Sequence, residues 1–154
     1  MRYIVLQLIA AFIGTSAFSV LFSVPKKYYL HCGFVGSIGW AVYLAVNLNF
    51  HRPIIATFMA SLVLTVVSRY LSVQYKATTT MFLLCGIFTI VPGAWIYYTA
   101  YYAIIGNETE AIRKGFESIK LALSIGMGIG VAYSISPKVF GWKKSVDVWR
   151  EDKE

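Results

Sequence analysis

Acidic residues are absent from the first 107 positions of this 154-residue chain. The seven that it has all lie in the predicted last loop or the C-terminal tail: Glu108, Glu110, Glu117, Asp147, Glu151, Asp152 and Glu154. Without paired carboxylates in its apolar part, the chain has little with which to perform general acid–base catalysis. The same absence predicts membrane spans without a carboxylate that relays protons, so a transporter built on this chain would need its coupling acid from elsewhere.

Other catalytic and ligand-binding patterns are missing as well. Cys32 and Cys85 are far apart in the sequence and define neither a disulfide framework nor a metal site. His31 and His51 lie at predicted membrane interfaces, where a solvated imidazole is expected. The glycine-rich stretch 126–130 follows no strand and has the wrong spacing for a dinucleotide fingerprint. We therefore predict that the protein is not an enzyme and that it holds no metal and no cofactor.

Long apolar runs dominate the sequence. The chain is 58% hydrophobic and 14% charged, with a mean hydropathy of +0.64. Its nearly uncharged stretches are 3–24, 30–48, 54–73, 79–105 and 121–137. At about 1.5 Å per residue the first four can cross a hydrocarbon core of roughly 30 Å, and the fifth is at the lower limit. The sequence predicts an all-α, polytopic integral membrane protein of about five transmembrane helices (1–137), followed by a basic, mixed-charge tail (138–154).

The distribution of lysine and arginine predicts the orientation. Five spans would place five basic residues on the side of the N-terminus and nine on the other side. Because positively charged loops stay in the cytoplasm, we expect a cytoplasmic C-terminus. The same rule accounts for the net charge of +7, so no nucleic-acid partner is predicted. The first stretch could imitate a cleavable signal peptide, but its apolar run continues past residue 17, which favours a retained span.

The fourth stretch carries no charge for 27 residues and contains Pro92-Gly93 near its middle. Proline has no amide hydrogen, and its ring clashes with the carbonyl four residues earlier, that of Phe88. If Pro92 begins a second half-helix, the amides from Gly93 to Trp95 would suit a carboxylate, and Thr89 would add a hydroxyl. A proline kink in a continuous helix is the equally weighted alternative.

Two further features belong to the predicted solute pathway. The tyrosines in the second half of the broken stretch, Tyr97 among them, indicate first an aromatic belt at the interface and second the lining of a polar path. Gly33, Gly36 and Gly39 form a small-residue stripe, and Gly126 and Gly130 form a GxxxG pair. Such stripes are typical of close helix packing, and either one could face a second protein.

Two charged segments also have alternative interpretations. Arg69 lies about one turn inside its span, which favours a snorkelling side chain over a site for an anionic substrate. Residues 107–120 have the pattern of an amphipathic helix on the bilayer surface, with Asn107 as its N-cap and Glu108 and Glu110 in its first turn.

Several motifs together carry a family resemblance. The run 22–27 (FSVPKK), the GSIGW at 36–40 with Tyr43, and the stretch 85–102 (CGIFTIVPGAWIYYTAYY) resemble the C-terminal membrane half of the bacterial threonine/serine exporter family. The family pattern PGIxPLVPG has prolines where this chain has Cys85 and Thr89, so the break is expected to be milder here.

The resemblance implies an exporter of threonine and serine, or of a related small carboxylate, in a bacterial cell membrane. It also implies a companion subunit that carries the N-terminal half, giving about ten spans in all, and this companion could supply the missing acid. The predicted substrate-binding or pathway residues are Thr89, Pro92, Gly93, Trp95, Tyr97, Gly36 and Gly39. Two other interpretations remain open: a non-transporting membrane scaffold or assembly protein, and a subunit of a membrane enzyme.

Overall fold

The computed structural model describes residues 2–135, which form helices and no strands. Six α-helices follow one another, with a short 3-10 turn, Lys26–Tyr28, before the second: α1 (Arg2–Leu21), α2 (Tyr29–Phe50), α3 (Pro53–Tyr75), α4 (Thr79–Ile87), α5 (Gly93–Ile104) and α6 (Glu108–Ser134). Four of them, α1, α2 with the 3-10 turn, α3 and α6, are long and apolar enough to cross a membrane. The prediction of an all-α, polytopic membrane protein is confirmed. The predicted tail, 138–154, lies outside the described residues.

The helix ends follow from local sequence signals. α3 begins with Pro53, whose missing amide is not needed in a first turn. His51 and Lys76 are the C-cap residues that follow α2 and α3. Both adopt left-handed conformations, with φ of 51° and 49°. The predicted N-cap of α6 is confirmed, because the side-chain oxygen of Asn107 accepts a hydrogen bond from the Glu110 amide at 3.3 Å.

The relative direction of α3 and α6 determines the number of crossings. Ser124 donates to the carbonyl of Ile54 near the start of α3, and Arg69 near the end of α3 donates to the carbonyl of Ala132. The two helices are therefore parallel, and the chain between them must cross back. α4 and α5 supply that crossing with 9 and 12 residues, about 30 Å together. The chain thus crosses five times, and α1 begins on the face opposite to the one where α6 ends.

The helix α3 lies at the centre of the bundle. It packs against α2, α4 and α6, and α1 covers the outside of α2 and α4. The main core cluster joins these helices through Val35, Ala60, Leu64, Leu83, Ile90 and Ile125. This arrangement makes α3 the support of α4, the first half of the broken span, whereas α5 packs mainly against α6.

The glycine stripe of α2 is a packing surface. A Cβ atom on Gly36 would collide with the Thr15 side chain of α1, and one on Gly39 would lie 2.6 Å from Leu64 Cδ1. By contrast, a Cβ atom added to either GxxxG residue, Gly126 or Gly130, would have no atom of the described chain within 4 Å, so that pair faces outward. The stripe on α2 closes the bundle, whereas the pair on α6 is free to meet lipid or another protein.

The last span is continuous with the segment expected to lie on the bilayer surface. That segment is the first part of α6, which continues without interruption to Ser134. Ser124 is hydrogen-bonded to the carbonyl of Ile54 at the start of α3, so the part of α6 that runs alongside α3 begins close to the predicted residue 121. Glu117 lies in the same helix before that part, and the expectation of spans without a carboxylate stays a prediction.

The position of Arg69 corrects a sequence interpretation. The residue is only 6% exposed, and its Nη1 atom donates to the carbonyls of Ala132 at 2.5 Å and Ile135 at 2.9 Å. The last carbonyls of a helix lack partners within the helix and carry its negative dipole end. Arg69 satisfies two of them at the end of α6 instead of snorkelling to the interface.

Candidate functional site

The fourth span is interrupted at the link between α4 and α5, residues 88–92. The Ile90 amide donates to the carbonyl of Ile87 at 3.0 Å, a tighter turn than the α-helix makes. Pro92 has φ −75° and ψ 50°, and the Gly93 amide donates to the Val91 carbonyl at 2.8 Å, which together form an inverse γ-turn. The backbone is therefore broken, and the alternative of a kink in one continuous helix is excluded.

The link lies close to the middle of the bundle. Gly86, at the end of α4, is so close to Leu64 that an added Cβ would lie 3.1 Å from its Cδ2 atom. Leu64 is itself the central residue of α3. The link therefore begins beside the middle of α3 and reaches Thr57, in the first turns of that helix, at Pro92 and Gly93. Unpaired polar groups inside a span are costly unless a cavity or a ligand satisfies them.

Two amides at the start of α5 have no partner in the described chain. The Gly93 amide is used by the γ-turn, and the Ile96 amide donates to the Pro92 carbonyl at 3.1 Å. The amides between them, of Ala94 and Trp95, are not bonded within the described residues, and no side chain caps the helix. Of the three amides expected to be available for a solute, two remain. The Thr89 hydroxyl donates to the Gly86 carbonyl at 2.7 Å, so it can only accept a further bond.

A cavity of about 180 Å³ adjoins these groups, and we call it the link cavity. Four of the seven predicted pathway residues line it: Thr89, Pro92, Gly93 and Trp95. Trp40 and Tyr43 of α2, Thr57 of α3 and Leu121 of α6 complete much of its wall. At about 30 Å³ per molecule its volume equals roughly six waters, which suits a small solute. None of the described residues that line it is charged.

The other three predicted residues lie elsewhere. Gly36 and Gly39 are buried against Thr15 and Leu64, and they line none of the described cavities. Their effect on the site is indirect, because they let α2 approach its neighbours closely enough to place Trp40 beside the link. Tyr97 is 64% exposed, and its ring stacks on that of Tyr101 at 6.3 Å, on the outer surface of α5.

Trp40 is the main residue that sequence reasoning missed. Its ring stacks on Tyr43 at 5.1 Å, and its Nε1 atom is buried without a hydrogen-bond partner among residues 2–135. It also lines a second cavity of about 310 Å³, the α1–α2 cavity, together with Gln7 and Thr89. Gly36, Trp40 and Tyr43 recur at helical spacing on one face of α2, a signal that could have identified both aromatic residues.

A third cavity brings charge close to the link. This α6 cavity, of about 200 Å³, is lined by Trp95, Glu117, Lys120 and Leu121, of which Trp95 and Leu121 also line the link cavity. The Oε2 atom of Glu117 is buried without a hydrogen bond in the described chain and lies 3.8 Å from Lys114 Nζ. That ammonium group also lies 4.3 Å from the centre of the Trp95 ring. An ion pair next to the link is a feature that the sequence analysis did not anticipate.

The cysteines are also closer than the sequence suggested. Cys32 on α2 and Cys85 on α4 belong to one buried cluster, close to Ser19 of α1. Both residues are fully buried. They join α4 to the bundle just before the link, so the Cys85 that replaces a proline of the family pattern has a packing role.

A helical membrane protein with a discontinuous span, and with a polar cavity at the break, has the architecture typical of secondary transporters. The family described as "Threonine/Serine exporter, ThrE" matches residues 7–135. The chain belongs to this threonine/serine exporter family.

A relative in Haemophilus influenzae, described as an uncharacterized protein, is 27% identical over 136 residues. The match covers 88% of this chain and 44% of that protein, so this chain spans less than half the length of its relative. No solved structure matches the chain.

Proposed function

We propose that this chain is one subunit of a secondary exporter of threonine and serine, or of a related small carboxylate-bearing solute, in the plasma membrane of a bacterium. Membership of the exporter family supports the transport of amino acids. The excess of basic residues on one side supports a cytoplasmic C-terminus.

The observation that carries this proposal is the unpaired backbone at the start of α5. The amides of Ala94 and Trp95 lie at the positive end of a helix, beside a cavity sized for a small solute. A carboxylate in the link cavity would accept hydrogen bonds from these amides and from Trp40 Nε1. Since two of these donors are backbone amides of a formed helix and the third is the indole of a residue on α2, the donors themselves need little ordering when the solute binds.

A companion subunit completes the proposal. This chain aligns with 44% of a longer relative, which supports a transporter made of this half and a further one. We assign the further half to a companion protein. The two halves would rock against each other and expose the link cavity to one side of the membrane at a time. The outward-facing glycine pair of α6 and the tyrosine surface of α5 are the surfaces that this companion, or a further copy of the assembly, would contact.

The test is co-expression with the product of a neighbouring gene that encodes the candidate companion half. We expect the two proteins to co-purify and to export labelled threonine, serine or succinate. Pro92→Ala should lower the flux at least tenfold, because it offers an amide that extends the helix across the link. The matched control, Pro25→Ala, lies outside the described cavities and should leave the flux near the wild-type value.

Two results would count against the proposal. If the proteins do not co-purify and no solute moves, the exporter subunit is rejected. If Pro92→Ala changes the stability of a transporting complex but not its flux, the link has a structural role only. Chemical conversion of a labelled solute, instead of its movement, would support the enzyme alternative.

A further inference from the structure

The α1–α2 cavity contains two buried polar atoms that lack partners within the described chain. One is the side-chain oxygen of Gln7, an acceptor, and the other is the indole nitrogen of Trp40, a donor. Buried polar atoms in proteins are nearly always hydrogen-bonded, so each such exception calls for an explanation. An unpaired acceptor and an unpaired donor that line the same cavity can be satisfied by one occupant that offers a donor and an acceptor, either a water molecule or a polar solute.

The other residues that line the cavity restrict the chemical class of that occupant. The other lining residues are small or aromatic, apart from the hydroxyl of Thr89: Ala10, Ala11, Gly14, Phe18 and Phe88. None of the described residues that line the cavity is charged, so a ligand with a net charge finds no opposite charge there, whereas the two charges of a zwitterion partly balance each other. A lipid acyl chain would fit the apolar wall but would leave Gln7 and Trp40 unpaired.

We propose that the α1–α2 cavity is a second solute-binding site, for a small zwitterion without net charge. Its ammonium group donates to the Gln7 side-chain oxygen, and its carboxylate accepts from Trp40 Nε1. The assignment rests on the proposed transport function and adds Gln7, on the first helix, as a residue that selects zwitterions over dianions.

The position of this site relates it to the link cavity. Trp40 and Thr89 line both cavities, so one solute can pass from Gln7 to the amides of α5 while it keeps the same indole partner. Gln7 belongs to the α1–α2 cavity alone. A substitution of Gln7 therefore tests the α1–α2 cavity without removing a group from the link cavity.

A larger side chain at Gly14 is a second, independent way to block the α1–α2 cavity. It lines the α1–α2 cavity, and a Cβ atom there would meet nothing within 4 Å. A leucine at this position would project into open space and fill the cavity without a clash. Ala17, also on α1, is exposed and lines none of the three cavities, so Ala17→Leu is the matched control.

The experiment measures equilibrium binding of labelled serine to the purified complex with its companion half, with succinate as the second probe. We expect Gln7→Leu and Gly14→Leu each to weaken serine binding about tenfold or more, as the loss of a hydrogen bond to a charged group would. Succinate binding should change much less in Gln7→Leu, and Ala17→Leu should bind both probes as the wild type does. The elution profile of each variant on size exclusion verifies that it is folded.

The possible results separate this site from the transport function. If the wild-type complex binds serine, but folded Gln7→Leu and Gly14→Leu bind it equally well, the second site is rejected and the proposed function stands. Loss of a co-purifying lipid from Gly14→Leu, with serine binding unchanged, would identify the cavity as a lipid site and would also reject it. If the wild type neither binds nor exports any probe, the proposed function fails, and this site fails with it.

Discussion

The two halves of the broken span are both apolar and uncharged, but their surroundings differ. α4 buries four residues, Phe82, Leu83, Cys85 and Gly86, and packs against α1, α2 and α3. α5 buries none and packs mainly against α6. Both halves come from a single uncharged run, so hydropathy cannot distinguish them. The difference shows that the break separates an anchored half-helix from a peripheral one.

This difference bears on how the cavities could open. Movement at a break occurs most easily on the side with the fewest packing contacts. We therefore expect α5, with the first half of α6, to move relative to α4 around the link. A Cβ atom added to Gly93 would have no atom within 4 Å, so the start of α5 is unobstructed.

The largest effect is expected from removing a core side chain of α4. Phe82 is fully buried, and Phe82→Ala should lower the free energy of unfolding by about 3–5 kcal/mol, because it leaves a cavity that its neighbours cannot fill. Ile96→Ala on α5, at a position that is 54% exposed, should change it by no more than about 0.5 kcal/mol. Reversible unfolding in mixed micelles measures the change in unfolding free energy for both variants. Equal losses would show that α5 is anchored as firmly as α4.

The next-largest loss of stability is expected from removing the hydrogen bonds that connect α6 to α3. Arg69→Met leaves the carbonyls of Ala132 and Ile135 without their charged donor, and should cost about 2–3 kcal/mol of the unfolding free energy. The comparison variant is Arg113→Met, which breaks an exposed ion pair with Glu110 and should have little effect. If thermal unfolding followed by size exclusion finds the two variants alike, Arg69 does not hold α6 in place.

A smaller effect is expected from the glycine stripe. Gly36→Val forces α2 away from Thr15 of α1, and overpacking of this kind should destabilise the protein by about 1–3 kcal/mol. Gly126→Val, which meets nothing in the described chain, should be close to neutral in the isolated subunit. If it instead disrupts co-purification with the companion half, the outward face of α6 is an interface between subunits. A neutral Gly36→Val would contradict the close approach of α1 and α2.

The smallest effect on stability is expected at the tyrosine surface of α5. Tyr97→Phe removes a hydroxyl from a ring that is 64% exposed, so the unfolding free energy should change by no more than about 0.5 kcal/mol. Labelled-solute flux through the complex decides whether Tyr97 belongs to the pathway. A loss of flux with unchanged stability would place its hydroxyl on the solute path, and unchanged flux would leave it with an interfacial role.

Much of the fold was predictable, because it depends on properties that are local in sequence. The five apolar stretches, the broken span and the Asn107 cap are read from hydropathy, from proline chemistry and from side-chain capping. The ion pair near the link was not predictable in this way. Glu117 and Lys114 lie 3.8 Å apart, and the packing of α5 on α6 places them beside Trp95.

The candidate site was predictable only in part. The backbone groups near Pro92 were identified because proline removes a hydrogen bond at a known position. Trp40 and Gln7 were not, since they come from helices far away in the sequence, and their unpaired atoms are defined only by what surrounds them. The same holds for Cys32 and Cys85, which are distant in the chain and neighbours in the fold.

The sequence by itself determined that this protein lies in the membrane and that one of its spans is broken, because apolar run length and the missing proline amide act on the chain directly. Only the tertiary structure decided which half of that span is anchored, which amides remain unpaired, and which side chains from other helices face the break. Those properties depend on how helices pack against one another, and packing is set by contacts between residues that the sequence keeps far apart.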